Sequence, residues 1–415
     1  MIRQPNDEGS VALPNLSAPH LRVARFEDYD QISPLGSSVF DFHPRADWES
    51  LWVDNPLWQH IGKDWPIGWV LETSSGEIIG SLMNFPSLYK FGGENLIAAN
   101  TRAWVVKPEY RGYGPWLLDE FYSQSRAQLF MSTTTGWMAA PIIQHMAHRI
   151  PLGDWQSTSY WITNHGQFVR HKLRTLRARV PRLLRYPAIG ALWLNDFIRR
   201  KPLRQFHKAP DSMGTPLPGV LADPIGKIIG VRDALCAKPF PPVPKGVTVK
   251  HTNDFNITFD EFYRELVRHQ TNKLLAERTS RVLTWHFGMP MRRNRLWIFM
   301  ATQKSRMLAY CVLIRSEDGR EVQLADYQTI DEGLELLPSL LQAALKRCAA
   351  EGVHMLENYG TAVPKLRALD ELAPHRRKLQ SWRFYYRASD PILDAQLRDG
   401  NRWDPSVYDG DASLE

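Results

Sequence analysis

The sequence predicts an α+β fold built as two similar domains, each a mixed, mostly antiparallel sheet flanked by helices, joined by a connector. The chain has 415 residues, which is more than one hydrophobic core usually organises. Its first part reads as a run of strands that leads into alternating strands and helices. The same order of elements returns roughly 220 to 230 residues later. We therefore predict one domain over residues 20–168, a connector over 169–245 and a second domain over 246–400.

The first elements form the antiparallel part of this plan. Residues 21–25 predict a short edge strand, and residues 45–56, RADWESLWVDNP, have helical spacing that ends at an Asn-Pro stop. The β-branched and aromatic runs at 67–72 and 77–85 are separated by turn residues at 74–76. Together these two runs predict a β-hairpin.

The next elements alternate. Residues 96–106 predict a long third strand, and an amphipathic helix follows from residue 115 to about 128. Residues 129–132 predict the next strand and residues 137–150 the next helix. The aromatic run at 155–162 predicts a last strand that closes the first sheet.

The most informative stretch is residues 101–124, TRAWVVKPEYRGYGPWLLDEFYSQ, where a strand passes through a glycine-bearing turn into a helix. Glycines at such a corner let backbone N–H groups turn toward one point, and the start of a helix adds unpaired donors. The guanidinium of Arg111 adds a charge that matches phosphate oxygens. The corner therefore predicts binding of an anionic group, although an ordinary strand-to-helix connection also fits a glycine-bearing turn.

Residues 106–118, VKPEYRGYGPWLL, resemble the pyrophosphate-binding motif of the GNAT superfamily of acyl-CoA N-acyltransferases. The resemblance implies acetyl-CoA or another acyl-CoA as donor substrate. It assigns cofactor contacts to eight residues: Trp104 and Val106 beside the pantetheine, Arg111, Gly112, Tyr113 and Gly114 at the pyrophosphate, and Pro115 and Trp116 at the helix start. The last two depart from the motif, because Pro115 removes an amide donor and Trp116 stands where the family usually has a small residue.

Candidate catalytic groups are fewer. In the family a tyrosine on the helix after the next strand often protonates the leaving sulfur, and the helix predicted here over 137–150 contains none. His145 is the candidate proton donor there, and a histidine on the polar face of a helix is the alternative. Ser132, Thr133 and Thr134 end the strand that should diverge from the cofactor strand, so their hydroxyls are predicted to line the resulting wedge. No catalytic base can be named.

The composition favours a globular protein that carries a basic surplus. Hydrophobic residues make up 43% of the chain, charged residues 23%, and the formal net charge is +7. Such a surplus favours anionic partners, such as a nucleotide cofactor, nucleic acid or membrane headgroups, without choosing among them. The first ten residues are polar and acidic rather than signal-like, and no run reaches the roughly 18 apolar residues of a membrane span. We expect a cytoplasmic protein, with membrane association left open.

No metal site is predicted. Cys236, Cys311 and Cys348 are far apart, show no zinc-ligand spacing, and are expected to be reduced core thiols. His145 and His148 lie three positions apart but lack a nearby carboxylate partner.

The connector begins with a strongly basic stretch. Residues 170–208 carry twelve Lys or Arg against one acid, Asp196. Three interpretations fit: a solvated helix that covers the domain junction, a helix attracted to an anionic membrane surface, and, less favoured, a nucleic-acid patch. Residues 202–244, rich in proline and glycine, predict an irregular linker.

The second half repeats the first but differs at the corner. Strands are predicted at 296–302, 307–315, 321–330, 354–359 and 382–387, with helices at 336–350 and 364–372. The residues at the corresponding turn include Asp331 and Glu332, which would repel an anionic ligand. We therefore expect only the first domain to bind coenzyme A. Two further acids are notable: Asp326 falls on an apolar strand face, and Glu357 lies at the end of another strand. Each fits either a site or a structural ion pair.

A tandem arrangement with one cofactor site resembles two groups within the superfamily. One comprises acyltransferase-like proteins associated with exopolysaccharide or cellulose synthesis, and the other the Fem-type peptidyltransferases. The first resemblance, which the general layout favours, implies acyl transfer to an amine such as an amino sugar or a surface-polysaccharide precursor. The alternatives are a Fem-like transferase that uses aminoacyl-tRNA and a non-catalytic scaffold.

Overall fold

The computed structural model describes residues 18–37, 43–62, 64–153, 155–177, 219–330, 336–360, 363–379 and 381–414. Its strands are β1 His20–Val23, β2 Gly68–Glu72, β3 Ile78–Phe91, β4 Glu94–Val106, β5 Leu129–Thr135, β6 His148–Arg149, β7 Ser157–Ile162, β8 Val247–Thr252, β9 Leu275–Ala276, β10 Leu296–Gln303, β11 Arg306–Arg315, β12 Glu321–Thr329, β13 Met355–Tyr359, β14 His375–Lys378 and β15 Arg383–Ala388. Its helices are α1 Tyr29–Ser37, α2 Arg45–Val53, α3 Pro56–Ile61, α4 Gly114–Tyr122, α5 Ala140–Ile143, α6 His165–Arg177, α7 Gly219–Cys236, α8 Ile257–His269, α9 Ser280–His286, α10 Gly288–Arg292, α11 Leu337–Ala350, α12 Arg367–Leu372 and α13 Pro391–Leu397.

These strands form two mixed sheets flanked by helices, which confirms the predicted α+β class. The first sheet has the order β1-β2-β3-β4-β5-β15-β6, with β9 paired to β3, and the second has the order β14-β7-β13-β12-β11-β10-β8. Neighbouring strands are antiparallel except for the pairs β4–β5 and β12–β13, which are parallel. Each sheet therefore contains one parallel step near its middle, as the repeated order of elements predicts.

The last strand of each half lies in the sheet of the other half. β7 pairs with β13, with Thr158 opposite Tyr359, and β15 pairs with β5, with Ala388 opposite Leu129. The prediction that residues 155–162 close the first sheet is therefore wrong, and residues 382–387 likewise do not complete the second. The alternation of apolar residues defines a strand and its buried face, but it does not say which sheet edge the strand joins. The domain boundaries drawn from the sequence stay a prediction.

Two helices of the first half are shorter than predicted. α4 ends at Tyr122 because the next side chains bond locally: Ser123 Oγ donates to the carbonyl of Asp119 at 2.6 Å, and Gln124 Nε2 donates to that of Phe121 at 2.8 Å. The helix predicted over 137–150 is reduced to the single turn of α5. Beyond it the chain is drawn into the first sheet as β6, which pairs with β15.

The connector is also more ordered than predicted, because residues 219–236 form α7 rather than an irregular linker. The glycines that suggested a linker are packing residues. A Cβ added to Gly226 would lie 2.9 Å from the backbone nitrogen of Gly166 in α6, and one on Gly230 would lie 3.4 Å from Nδ1 of His165. Small residues are needed where two helices approach this closely. The remaining part of the predicted linker before residue 219 lies outside the described residues.

One carboxylate joins three elements at this helix pair. Asp233 Oδ2 on α7 is 2.8 Å from Nε2 of His165 on α6 and 2.8 Å from Nε2 of His375 on β14. Asp233→Ala is expected to loosen α7 by about 1–3 kcal/mol, because both imidazoles lose a buried partner. Native-state hydrogen exchange of the α7 amides measures this. Asp223→Ala, which breaks an exposed pair with Arg170 on the same helices, is the control, and equal loosening by both variants would contradict the prediction.

The first sheet is packed on both faces. Helices α4 and α5 cover one face, where Leu82 of β3 packs with Leu117 and Phe121 of α4. Helices α1 and α2 cover the other face, where Met83 of β3 packs with Trp52 of α2. Within the described ranges, no helix combines the length and apolar content that crossing a bilayer requires.

Candidate active site

The glycine corner is a 3-10 helix, Pro108–Tyr113, that runs directly into α4. The amide of Tyr110 donates to the carbonyl of Lys107 at 3.0 Å, and the amide of Gly114 donates to that of Arg111. A 3-10 helix satisfies its amides three residues back along the chain. The corner therefore presents fewer free N–H groups than the open turn that the sequence predicts, and the exposed Arg111 is the cationic residue within it.

The two glycines of the corner have different surroundings. A Cβ added to Gly112 would have no heavy atom within 4 Å, so this position faces open space beside Arg111. A Cβ added to Gly114 would lie 3.4 Å from Cζ2 of Trp104, so Gly114 lets the helix start approach β4 closely. Gly112 is thus the position where a ligand can approach the backbone.

The aromatic residues of the corner lie toward its surface. Trp116 is 43% exposed and packs edge-on against Tyr113, with ring centroids 5.0 Å apart. Trp104, Val106 and Tyr113 are partly buried against the α4 face of the sheet. Trp104 Nε1 is buried and has no hydrogen-bond partner within the described part of the chain. Pro115 occupies the first turn of α4, a position that suits proline.

β4 and β5 diverge next to this corner. Within these two fully described strands, the parallel pairing covers only Ala98–Asn100 opposite Leu129–Met131, although β4 continues to Val106 and β5 to Thr135. A bulge accompanies the divergence, because Ala103 has φ 51° and the register with β3 shifts there. The sequence predicted that β5 separates from the cofactor strand, and the pairing confirms it.

The segment 404–414 reaches into this wedge and places Asp411 between the two strands. Asp411 Oδ1 accepts hydrogen bonds from Thr133 Oγ1 at 2.9 Å and from Thr134 Oγ1 at 3.0 Å, both at the end of β5. From the β4 side, a guanidinium nitrogen of Arg102 donates to the Asp411 carbonyl at 3.3 Å. The segment fits tightly, since a Cβ added to Gly410 would lie 2.3 Å from Thr133 Oγ1.

The environment of Asp411 shifts the pKa of its carboxyl. Burial raises the pKa of its carboxyl, and Arg102 and the hydroxyls of Thr133 and Thr134 only partly oppose this effect. The residue as a whole is half-buried. Sequence reasoning missed Asp411 because the run YDGDASLE carries no local motif. Only the partners Thr133 and Thr134, which were predicted to line the wedge, point to it.

A buried ionic cluster anchors the same segment from behind. The fully buried guanidinium of Arg278 lies 3.0 Å from Asp326 Oδ2 and 3.4 Å from Asp409 Oδ2. Tyr310 Oη donates to Asp326 at 2.8 Å, and Tyr89 Oη donates to Asp409 at 2.9 Å. Asp326 is therefore the acid of a structural ion pair, one of the two alternatives that the sequence left open.

Glu357 is also ion-paired. Its Oε1 accepts from Nε of Arg377 at 2.6 Å, and its Oε2 accepts from Tyr359 Oη at 2.8 Å. This carboxylate holds β13 to β14, so it too has a structural partner.

A recess opens beside the segment on the side of α3 and α9. It is narrow, with a cavity volume of about 20 Å³, and it reaches Gly410, the neighbour of Asp411. Its polar and aromatic lining includes Asn55, Ser87, Glu277, Trp285 and His286. Burial lowers the pKa of His286 to about 3, so this imidazole is neutral near pH 7, and its Nε2 is 2.6 Å from Ser413 Oγ. Burial also raises the pKa of Glu277.

The other predicted groups are placed as follows. His145 is exposed on the turn after α5, beside the α4 face of the first sheet, and its role as proton donor stays a prediction. His148 lies in β6, 3.5 Å from Asp394. Asp331 and Glu332, and the basic stretch beyond Arg177, lie outside the described residues. Within the described ranges, no cluster of three or more potential ligands for a metal ion is found.

Comparisons with known proteins give distant structural likenesses. No protein-family model and no curated protein matches the chain. Among solved structures, Saccharomyces cerevisiae N-myristoyltransferase with bound myristoyl-CoA is similar at 12% identity, over 93% of this chain and 84% of that one, with a TM-score of 0.49. A GCN5-related N-acetyltransferase from Anabaena variabilis is similar at 12% identity, over 90% and 73%, with a TM-score of 0.48. A tandem GNAT protein from the clavulanic acid biosynthesis pathway is similar at 13% identity, over 90% and 99%, with a TM-score of 0.42.

Proposed function

We propose that this protein transfers an acyl group from an acyl-CoA to a primary amine. The observation that carries the proposal is the position of Asp411, a carboxylate held between the diverging ends of β4 and β5. The corner that resembles the GNAT pyrophosphate motif directly follows β4. A donor bound along the free edge of β4 would bring its thioester to the wedge that contains this carboxylate.

Residues of the corner and of β4 support the proposed donor contacts. The charge of Arg111 and the open space at Gly112 suit the pyrophosphate. Beyond Asn100 the backbone of β4 has no paired neighbour on the β5 side within the described strands, so its peptide groups are free to bond the pantetheine arm. Trp104 and Val106 lie along this part of β4.

The chemistry follows from these positions. Asp411 accepts a proton from the ammonium of the acceptor, and the resulting amine attacks the thioester carbon. The nitrogen then releases its second proton to solvent as the amide forms, the C–S bond breaks, and the sulfur of coenzyme A takes up a proton and leaves as a thiol. His145 is the proposed donor of that proton. The raised pKa of Asp411 brings its basicity closer to that of the groups from which it takes a proton.

The narrow recess next to Gly410 marks the side of the wedge from which we propose that the acceptor approaches. Among its lining residues, all of which lie in the described part of the chain, there is the carboxylate of Glu277 but no lysine or arginine. A cationic amine is therefore favoured there over an anionic acceptor. Trp285 and the other aromatic lining residues suit a sugar ring, and an amino sugar or surface-polysaccharide precursor is the acceptor that we propose.

Isothermal titration calorimetry with acetyl-CoA tests the donor site. Arg111→Ala and Gly112→Val are each expected to weaken binding at least about tenfold, because one removes a charged contact and the other fills the space of the ligand. Gly112→Val should not disturb the unliganded fold, since no heavy atom lies near the added side chain. Lys238→Ala, an exposed cation far along the chain on the connector, is the control. No binding to the unaltered protein would end the proposal.

A non-catalytic scaffold is the second candidate, because the segment 404–414 already fills part of the wedge. In that case Trp116→Gly would open the corner and create coenzyme A binding that the unaltered protein lacks. The Fem-like alternative rests on the basic stretch, of which only residues 170–177 are described. Steeply salt-dependent binding of tRNA would favour it.

A further inference from the structure

The outer face of α7 carries an exposed apolar stripe. Ile228, Val231 and Leu235 are 69%, 60% and 82% exposed. Their spacing of three and four positions places them on one side of the helix. Three large aliphatic side chains in this arrangement form a continuous apolar strip rather than scattered surface residues.

The stripe is not needed to hold α7 in place. The opposite face of the helix is anchored by Ala222 and Ile229, which are buried against Phe168 and Val169 of α6 and against Met355 of β13. The shared carboxylate of Asp233 adds a polar anchor on the same inner side. The outer stripe is therefore available to a partner without any rearrangement of the helix pair.

The charge around the stripe indicates the chemistry of that partner. Lys227 is exposed next to Ile228, and Lys238 is exposed just after the end of the helix. The sequence that precedes α7, residues 178–218, contains eight Lys or Arg against two Asp. Among the described residues, Lys227 flanks the stripe and Lys238 lies 3.8 Å from Glu371. An apolar stripe flanked by lysine, on a helix that a strongly basic sequence precedes, fits a partner that is anionic outside and apolar inside, which is the interface of a bilayer with anionic lipids.

We propose that α7 docks on an anionic membrane surface through Ile228, Val231 and Leu235. The helix lies in the plane of the interface, with its inner face against α6 and its outer stripe among the lipid headgroups. This orientation leaves the rest of the protein outside the bilayer. A second copy of the chain is a poorer occupant, because the basic groups around two facing stripes would repel each other. The proposal is independent of the acyl-transfer activity.

Co-sedimentation of the full chain with lipid vesicles tests the proposal. We expect binding to vesicles of phosphatidylcholine mixed with phosphatidylserine, and weaker binding to phosphatidylcholine alone. The combined variant Ile228→Ser, Val231→Ser and Leu235→Ser should weaken binding to the anionic vesicles at least about tenfold, because it removes the apolar area that enters the interface. The substitutions are exposed and should leave the circular dichroism spectrum unchanged.

The matched control is Ile257→Ser with Ile392→Ser, two comparably exposed isoleucines on other helices, and it should bind as the unaltered protein does. Binding that is the same for the triple-serine variant would overturn the proposal, as would a failure of the unaltered protein to sediment with anionic vesicles. A change in mass of the triple-serine variant in analytical ultracentrifugation, without a change in vesicle binding, would assign the stripe to self-association and overturn it as well.

Discussion

Asp411→Asn is expected to lower kcat by about 10²–10⁴-fold, the usual contribution of a positioned general base. The amide keeps the shape of the side chain and can still accept hydrogen bonds from Thr133 and Thr134, so the fold and the binding of acetyl-CoA should change little. Release of the coenzyme A thiol in the presence of a panel of primary amines, including glucosamine, measures the rate. Asp404→Asn in the same segment removes an ion pair with Lys365 instead and is the control.

The pH dependence sharpens this expectation. Because the pKa of Asp411 is raised, its carboxyl stays protonated at higher pH than an ordinary aspartate and cannot then act as a base. kcat/KM should therefore fall as the pH drops through the raised pKa, and this acidic limb should be missing from Asp411→Asn. A variant that keeps both its rate and its acidic limb would assign catalysis to another group.

Arg278→Ala is expected to destabilise the protein by about 3–5 kcal/mol. It leaves Asp326 and Asp409 buried without their shared cation, and the cost of an uncompensated buried charge exceeds that of the lost contacts. Urea unfolding followed by tryptophan fluorescence measures the change.

Arg281→Ala is the matched control for this variant, since Arg281 is exposed. Within the described residues, its guanidinium donates a hydrogen bond to the side chain of Gln59 alone. It should change the free energy of unfolding by less than about 0.5 kcal/mol. Equal free energies of unfolding for the two arginine variants would contradict the prediction that the Arg278 cluster stabilises the fold. Adding Asp409→Asn to Arg278→Ala should recover part of the loss, because one of the two stranded charges is then removed.

Local patterns predicted the elements of the fold well and their partners poorly. The hairpin β2–β3, the long strand β4 and the helix α11 lie close to their predicted positions, because hydrophobic periodicity and turn residues act within a few residues. The exchange of β7 and β15 depends on edges that form far away in the chain. The packing of Gly226 against α6 could not be predicted from the sequence either, since a close helix contact and a flexible linker both favour glycine.

The site divides in the same way. The wedge and the hydroxyls of Thr133 and Thr134 were predicted from the order of strands. Asp411 lies almost 280 residues further along the chain than these threonines, and only the folded structure brings it to them. At the glycine corner, the turn between β4 and α4 was predicted correctly, but its 3-10 hydrogen bonding was not.

The exchanged strands also determine when the protein can fold. Strand β15 can pair with β5 and β6 only after residues 383–388 have left the ribosome. Strand β7 likewise can pair with β13 only after β13 has been synthesised. During synthesis the first half therefore carries an apolar strand and a sheet edge without partners, which is the state most prone to pair with other chains. Pairings across such sequence separations close slowly. The architecture thus links the completion of the wedge, and of any activity proposed there, to the synthesis of the second half of the chain.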